Sequence, residues 1–330
     1  MAFKPLKAVY SFIFPEVWQS IHSVDFSPEF FRTQTNARQL AQQFQDIDTL
    51  PENKEGQFDT ERLYEIVHAT ILKSYSCLIP SLSKYKHFYP TSGSSEGLFH
   101  ILTDLKLKGV RQINVLAGEY EGFGIQAGNL GLKVKIVPLA DTLTQKPGWW
   151  IVSQPTARNG AILPASWFKD MAKAGHKFVV DYAYVGLTYP TQFAFGGYVP
   201  EYAVMSLSKP YGVFALRIGF TFSKQVIPSL IGNKLWFRDN TRQIQACAII
   251  NQVGPLVLKG RYAEMQEAIV SGMREETQLP IELSESLLLA YLPTTVKLST
   301  KQTMLLSQFK RYDNYRFCLT PYLEDLCVTL

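Results

Sequence analysis

Between residues 90 and 222 the chain alternates short apolar segments with amphipathic ones, and this alternation restricts the possible folds more than any other feature. The pattern predicts strands over 112–116, 134–139, 149–153, 178–181, 203–206 and 218–222. Helices are predicted over 95–107, 122–130 and 166–174. Such alternation is typical of a mainly parallel sheet with helices on both faces, so we expect an α/β fold.

The pattern changes after residue 225. Two long helices, over 238–253 and 258–273, and strands at 290–297 and 326–330 indicate a smaller α+β unit. We assign residues 46–224 to a large domain and residues 1–45 with 225–330 to a small one. The first segment is grouped in this way because an independent domain normally needs about 50 residues. Asp59 or Thr60 is expected to cap the first helix of the large domain.

Composition argues against several classes of protein. The net charge is +5, but no run of five basic residues occurs, so we expect no nucleic-acid partner. The four cysteines lack C-x-x-C spacing, which argues against a metal site and fits thiols in a reducing compartment. We find no signal peptide and no apolar run of about 18 residues, so we expect a cytoplasmic protein without a membrane partner.

Ligands of open α/β sheets bind beyond the carboxyl ends of the strands. Five segments there carry chemically useful side chains: TSGSSEG (91–97), GEYEGF (118–123), SQPTARNG (153–160), VVDYAY (179–184) and SLSKPYGVFALRIG (206–219). Small residues in the first segment allow backbone N–H groups to reach an anion at a helix N-terminus. The alternative is that Ser94 or Ser95 simply caps the helix.

The next residues suit a planar, cationic ligand. Tyr120 can stack on a flat ring, or it can be a packing aromatic. Asp181 ends an apolar strand, where burial is costly without a partner such as a cationic ring nitrogen. Its alternative role is to cap the following turn. Tyr184 follows three residues later as a hydrogen-bond donor.

The last segment holds a lysine and an arginine in an apolar setting. Lys209 at a strand end can have a lowered pKa and form an imine with a carbonyl group. Arg217 can hold a phosphate in forked geometry, next to the hydroxyls of Ser206 and Ser208.

In this order, the five segments resemble the cofactor site of the fold-type-I pyridoxal-phosphate (PLP) enzymes, specifically the aspartate aminotransferase (class I/II) family. Ser206-x-x-Lys209 followed by Arg217-Ile218-Gly219 is similar to that family's S-x-x-K…R-x-G signature. Asp181 and Tyr184 are similar to its D-x-x-Y pair. The resemblance covers residues 60–222 and implies a sheet of the seven-stranded type.

The resemblance also implies roles for the residues. Lys209 holds PLP as an internal aldimine and moves the proton, while Asp181 keeps the pyridine nitrogen protonated. Tyr184 bonds the phenolic oxygen of the ring, and Tyr120 stacks on its face. The phosphate is held by Ser94, Ser95, Ser206 and Arg217, with Ser208 as a less certain helper.

Two features depart from the family pattern. In QPTARNG, Ala157 replaces an asparagine that contacts the cofactor, Arg158 replaces a proline, and Asn159 lies two positions away. The family also has an arginine near its end that binds the substrate carboxylate. The best match for its strand is 327–330, where Thr329 replaces that arginine. Arg158, Arg311 and Arg316 are the alternative cations.

We therefore expect a PLP-dependent transferase, in the first place an aminotransferase acting on an amino acid or a related amine. The alternative with the same cofactor is a decarboxylase, eliminase or cyclase of a biosynthetic pathway. A third reading is a non-catalytic binding protein on the same fold. We also expect a homodimer, in which the aromatic segment 10–31 contributes to the partner's site.

Overall fold

The computed structural model describes residues 59–189 and 192–322. The predicted packing of residues 1–45, the segment 10–31 and the strand at 326–330 lie outside these ranges. The helices are α1 Thr60–Tyr75, α2 Ser94–Leu107, α3 Glu121–Asn129, α4 Ala165–Lys173, α5 Ile231–Leu235, α6 Asn240–Gln252, α7 Leu258–Thr277 and α8 Thr300–Leu306. The strands are β1 His87–Thr91, β2 Gln112–Leu116, β3 Lys133–Val137, β4 Trp149–Ser153, β5 Lys177–Tyr182, β6 Tyr202–Ser206, β7 Gly219–Ser223, β8 Glu282–Leu283, β9 Leu289–Pro293, β10 Lys310–Arg311 and β11 Asn314–Cys318.

A seven-stranded sheet has the order β1-β7-β6-β5-β4-β2-β3. The pairs from β6 to β3 are parallel, whereas β7 runs antiparallel to both of its neighbours. The predicted fold class, a mainly parallel seven-stranded sheet with helices and a smaller unit, is confirmed. None of the helices in the described ranges is long and apolar enough to cross a membrane.

The strands β4, β5, β6 and β7 are buried on both faces, which explains their continuous apolar sequences. In β5, Phe178 and Val180 pack into the core layer that contains α1 and α4, while Val179 packs into the layer that contains α2 and α3. Successive side chains of a strand point to opposite faces, so each strand serves both layers. Polar side chains therefore gather where the strands end.

The helices follow ordinary rules of capping and amphipathicity. The side chain of Asp59 accepts the N–H of Arg62 at 2.9 Å, so Asp59 rather than Thr60 is the N-cap of α1. The buried residues of α1 lie at intervals of four: Leu63, Val67, Ile71 and Tyr75. This face packs against α6, although α6 falls within the predicted small domain. The domain boundary at 224/225 therefore stays a prediction.

A second, antiparallel sheet has the order β10-β11-β9-β8. It is tied to the loops of the large sheet: Leu287 N–H donates to Leu187 O at 2.8 Å, and Ser284 Oγ donates to Asn159 O at 2.8 Å. These bonds hold β11 close to the carboxyl ends of β4 and β5.

Candidate active site

Asp181 lies near the carboxyl end of β5, in register with Ser153 of β4 and Val204 of β6. Its side chain is buried, with 6% of the residue exposed, and Oδ1 accepts the N–H of Ala183 at 2.9 Å. Burial raises the pKa of this carboxyl to about 6, although Lys209 and the Ala183 bond act in the opposite direction. The acid thus caps the turn, as in the alternative reading, and still favours a cationic partner.

Lys209 lies in the turn that follows β6, and its Nζ is 4.2 Å from the ring centroid of Tyr184. Burial acts to lower the pKa of Lys209, but the acidic groups around it act more strongly in the other direction, so the pKa is raised. Those groups are Tyr184, Asp181 and Cys318. The predicted Lys209, Asp181 and Tyr184 therefore share one site.

A second group of predicted residues surrounds the N-terminus of α2. Arg217 Nη2 donates to Ser92 O at 3.1 Å, and its Nη1 donates to Ser208 Oγ at 3.5 Å. Ser206 Oγ accepts the N–H of Ser208 at 3.1 Å. Ser94 is the first residue of α2. A guanidinium, hydroxyls and the first free N–H groups of a helix thus lie together, which suits a phosphate dianion.

Two glycines make this close approach possible. Gly93 has φ +84°, and a Cβ there would lie 2.5 Å from Arg217 Nη2. A Cβ on Gly219 would lie 2.4 Å from the Cα of Gly93. The two backbones therefore pack directly against each other, and Arg217 lies over the loop before α2. This cradle and the acid of Asp181 match the two charged ends of PLP, its phosphate and its ring nitrogen.

Two predicted contacts stay predictions. Ser95 is the second residue of α2 and is half-buried. Tyr120 is 46% exposed, and its ring packs edge-on to Phe123 at 5.5 Å between centroids. A Cβ on Gly122 would lie 2.3 Å from Tyr120 Cε1, so the ring covers that glycine. Within the described chain, these contacts place the ring of Tyr120 on α3, where its outer face is accessible.

Arg316 is the cation that the second sheet brings to the site. It lies on β11, its Nη1 donates to Ala157 O, and its charge acts to lower the pKa of Lys209. The strand match at 327–330 falls outside the described residues, whereas Arg316 interrupts the apolar run Tyr315–Cys318 of a strand that we did not predict. A lone arginine inside such a run is the signal that could have found it.

The other candidate cations are engaged elsewhere. Arg158 Nη2 forms an ion pair with Asp313, and Arg311 Nη2 lies 3.3 Å from Glu121 Oε1. Asn159, which lies near the position of the family's asparagine, accepts the N–H of Ala161 at 3.3 Å. It therefore stabilises its own loop.

Sequence reasoning missed one buried acid, Glu119, which follows β2. It lies directly before Tyr120 in GEYEGF, and only 5% of the residue is exposed. The rule that singled out Asp181, an acid after an apolar strand, applies equally to this position.

A sheet of this order, with a lysine, an acid and a phosphate cradle at its carboxyl edge, defines the class of the fold-type-I PLP enzymes. The model of the family "Aminotransferase class I and II" matches residues 83–280. The chain belongs to this family, and it is a PLP-dependent transferase. No curated protein sequence matches the chain.

Solved structures share the fold at low sequence identity. BacF from Bacillus subtilis, in a substrate-bound structure, is 14% identical, with a TM-score of 0.65 over 96% of this chain and 86% of that one. YbdL from Escherichia coli, described with a methionine aminotransferase function, is 14% identical, with a TM-score of 0.60 over 96% of both chains. A PLP-bound C-S lyase from Staphylococcus hominis is 13% identical, with a TM-score of 0.57 over 80% of this chain and 86% of that one.

Proposed function

We propose that the chain transfers an amino group from an amino acid, with PLP attached through Lys209 Nζ. The convergence of Lys209, Asp181 and Tyr184 beside the Arg217 cradle carries this proposal. Bound PLP supplies an electron sink that delocalises the negative charge developing on the substrate's α-carbon. The protein's residues bind, orient and move protons around that group.

Asp181 is proposed to hold the proton of the ring nitrogen. Its carboxylate is costly to bury alone, and a cationic ring removes that cost. Tyr184, whose ring lies against Lys209, is proposed to donate a hydrogen bond from its hydroxyl to the phenolic oxygen. Lys209 Nζ would act as the base that takes the proton from the substrate's α-carbon and then as the acid that donates it to a second carbon.

The phosphate is proposed to lie between Arg217 and the N-terminus of α2. Ser94, Ser95 and Ser206 add hydroxyls, and Ser208 positions the guanidinium through its 3.5 Å hydrogen bond. The fixed backbone of Gly93 and Gly219 leaves this cradle little freedom. An anion site that is already ordered before binding loses less conformational entropy when the phosphate binds.

We propose Arg316 as the residue that binds the α-carboxylate of the substrate. Arg158 and Arg311 are ion-paired, whereas Arg316 donates to Ala157 O and lies close enough to Lys209 for its charge to act on the pKa of that lysine. A forked guanidinium fixes a carboxylate in one plane. With the carboxylate held in this way, the bond from the α-carbon to hydrogen would be the one aligned for cleavage once PLP is bound, which would favour transamination over decarboxylation.

One observation keeps the alternative open. Ala157 cannot donate a side-chain hydrogen bond to the cofactor, so the electronics of the ring differ from those of the family pattern. An elimination or cyclisation would release ammonia or retain the nitrogen without forming the pyridoxamine form. Product analysis after incubation with an amino-acid panel distinguishes these reactions from transamination.

We also propose a homodimer in a reducing compartment, the cytoplasm. Trp236 and Phe237 are 75% and 77% exposed. Adjacent large apolar side chains that face water are unusual in a monomer and are typical of a protein–protein interface. Within the described residues, the three cysteines are free thiols. Light scattering that shows a stable, active monomer would refute the dimer. A fluorescent fusion distributed through the cytoplasm is the expected outcome for the location.

The central test is the visible absorption of the purified, PLP-loaded protein. We expect a band from the covalently bound cofactor that is absent in Lys209→Ala. Lys224→Ala is the matched control, because Lys224 follows β7 and forms its ion pair with Glu201. A loaded wild-type protein without the band, or a Lys209→Ala variant that keeps it, contradicts the proposal.

A further inference from the structure

Glu119 is a buried carboxylate that the proposed chemistry does not use. Its Oε2 accepts hydrogen bonds from Ser153 Oγ at 2.8 Å, from Tyr120 N–H at 3.1 Å and from Ala157 N–H at 3.3 Å. Its Oε1 accepts Ser153 N–H at 3.2 Å. All four partners are donors, which matches an ionised carboxylate, an acceptor-only group.

These bonds connect three segments of the carboxyl edge. Tyr120 directly precedes α3, Ser153 ends β4, and Ala157 lies in the following loop. Ser153 of β4 is in register with Asp181 of β5. A single strand, β4, therefore separates the end of β2, which Glu119 follows, from the proposed ring-binding acid. Glu119 therefore lies in the centre of the proposed site. Its carboxylate already accepts four hydrogen bonds from the protein itself.

Ala157 continues the connection toward the substrate. Its N–H is held by Glu119, while its carbonyl oxygen accepts Arg316 Nη1. The methyl side chain of Ala157 cannot form a hydrogen bond. At this residue, Glu119 and Arg316 are therefore linked through the backbone N–H and C=O groups of Ala157. A displacement of this backbone moves the acceptor that orients the guanidinium.

We propose that Glu119 is a positioning residue for substrate-carboxylate recognition: it fixes the backbone of Ala157, and that backbone fixes Arg316. The proposal rests on the proposed function, because it needs Arg316 as the carboxylate ligand. It adds that carboxylate recognition in this chain depends on an acid after β2, a strand that β4 and β5 separate from the β6 strand preceding Lys209. The link runs through the main chain at a position where the family has a side-chain amide.

The variant Glu119→Gln tests this link at nearly constant volume. A glutamine can keep its oxygen at the Oε2 position with three donors, but its NH2 group then faces the N–H of Ser153. Two donors cannot bond each other, so the segment must shift. Ser153→Ala removes the 2.8 Å bond alone and is the milder second variant.

Two oxyamines separate carboxylate recognition from reactivity. Aminooxyacetate and O-methylhydroxylamine both react with protein-bound PLP and remove its visible band, and only the first carries a carboxylate. The ratio of their rates on the loaded enzyme reports the carboxylate site. A general structural loss alters both rates together and leaves the ratio unchanged.

For Glu119→Gln we expect this ratio to fall about 10-fold, the effect of a misplaced binding group. The rate with O-methylhydroxylamine should stay within about twofold, since the variant leaves Lys209 untouched. Arg316→Gln should lower the ratio about 10- to 100-fold, the effect of losing a charged hydrogen bond. The control Glu65→Gln removes an exposed acid of α1 and should leave the ratio unchanged.

The outcomes separate the two proposals. Failure of both oxyamines to change the band of wild type contradicts the proposed function. An unchanged ratio in Arg316→Gln contradicts the assignment of Arg316. A lowered ratio in Arg316→Gln together with an unchanged ratio in Glu119→Gln overturns only the role of Glu119. If Glu119→Gln does not fold, Ser153→Ala decides, with a fall in the ratio as the supporting result and no change as the contrary one.

Discussion

The glycine before α2 gives the sharpest test of the phosphate cradle, through the variant Gly93→Ala. Gly93 has φ +84° and ψ 174°, a region that is essentially restricted to glycine. Residues with side chains in such regions cost about 1–3 kcal/mol of folding free energy. We therefore expect Gly93→Ala to lower the free energy of unfolding by about this amount.

A second effect of Gly93→Ala is specific to the cofactor. The added methyl would lie 2.5 Å from Arg217 Nη2 and 3.2 Å from its Cζ, so the guanidinium must move. A hydrogen bond to a charged group contributes about 1.5–3 kcal/mol, and each 1.4 kcal/mol is about tenfold in affinity. The dissociation constant for PLP should therefore rise about 10- to 100-fold.

A glycine at the other end of the same helix provides the control. Gly109 has φ +85°, and a Cβ there would meet no atom within 4 Å. Gly109→Ala should therefore lose stability without losing cofactor affinity. Urea unfolding of the cofactor-free proteins measures the first effect, and titration with PLP, followed by the visible band, measures the second. A folded Gly93→Ala variant that binds PLP as tightly as wild type would refute the cradle.

Three further predictions concern single side chains. Because burial raises the pKa of Asp181 to about 6 from 3.8, its stabilising contribution is present at low pH and is lost as the pH rises through 6. The full effect of this shift is about 3 kcal/mol, of which about 1.4 kcal/mol develops above pH 5. In urea unfolding of the cofactor-free proteins, the stability of Asp181→Asn relative to wild type should therefore increase by up to about 1.4 kcal/mol from pH 5 to pH 8. This is an upper limit, because the variant also removes the counter-ion of Lys209. Tyr120→Ala should weaken PLP binding about 2- to 10-fold in the same titration, and Tyr120→Phe should not, if the ring stacks on the cofactor. Arg158→Ala should leave the oxyamine rate ratio unchanged, because that arginine is ion-paired; a fall as large as that of Arg316→Gln would reassign the carboxylate site.

The central sheet was predictable because most of its strands are short apolar runs, and those in its middle are buried on both faces. Gln112–Leu116 and Trp149–Ser153 were predicted to the residue, since each is a short apolar run bounded by polar or turn-forming residues. Four strands escaped prediction: β1, β11 and the two-residue strands β8 and β10. β1 contains Pro90, which is tolerated because β1 is an edge strand paired only with β7. β11 carries Arg316 within its apolar run, so its sequence does not show the regular alternation of apolar and polar residues that would predict a strand.

The cofactor part of the site could be inferred from spacing, and the substrate part could not. Lys209 and Arg217 lie on one short segment, so their proximity follows from local chain geometry. The partner of Ala157 comes instead from residue 316, and the pairing depends on how the second sheet docks on the first. No local pattern encodes that arrangement. For the same reason, Arg158 could not be known to pair with Asp313.

The two buried acids at the carboxyl edge show how the fold separates structure from chemistry. Burial raises the pKa of both, to about 7 for Glu119 and to about 6 for Asp181. Glu119 accepts four hydrogen bonds from its own chain, so its capacity is used and its position is fixed. Among the described residues, Asp181 accepts one, from Ala183, and is otherwise balanced by the charge of Lys209. Only an acid with acceptor capacity to spare can bind an external cation. We therefore propose a positioning role for Glu119, which follows β2, and a cofactor-binding role for Asp181, near the end of β5.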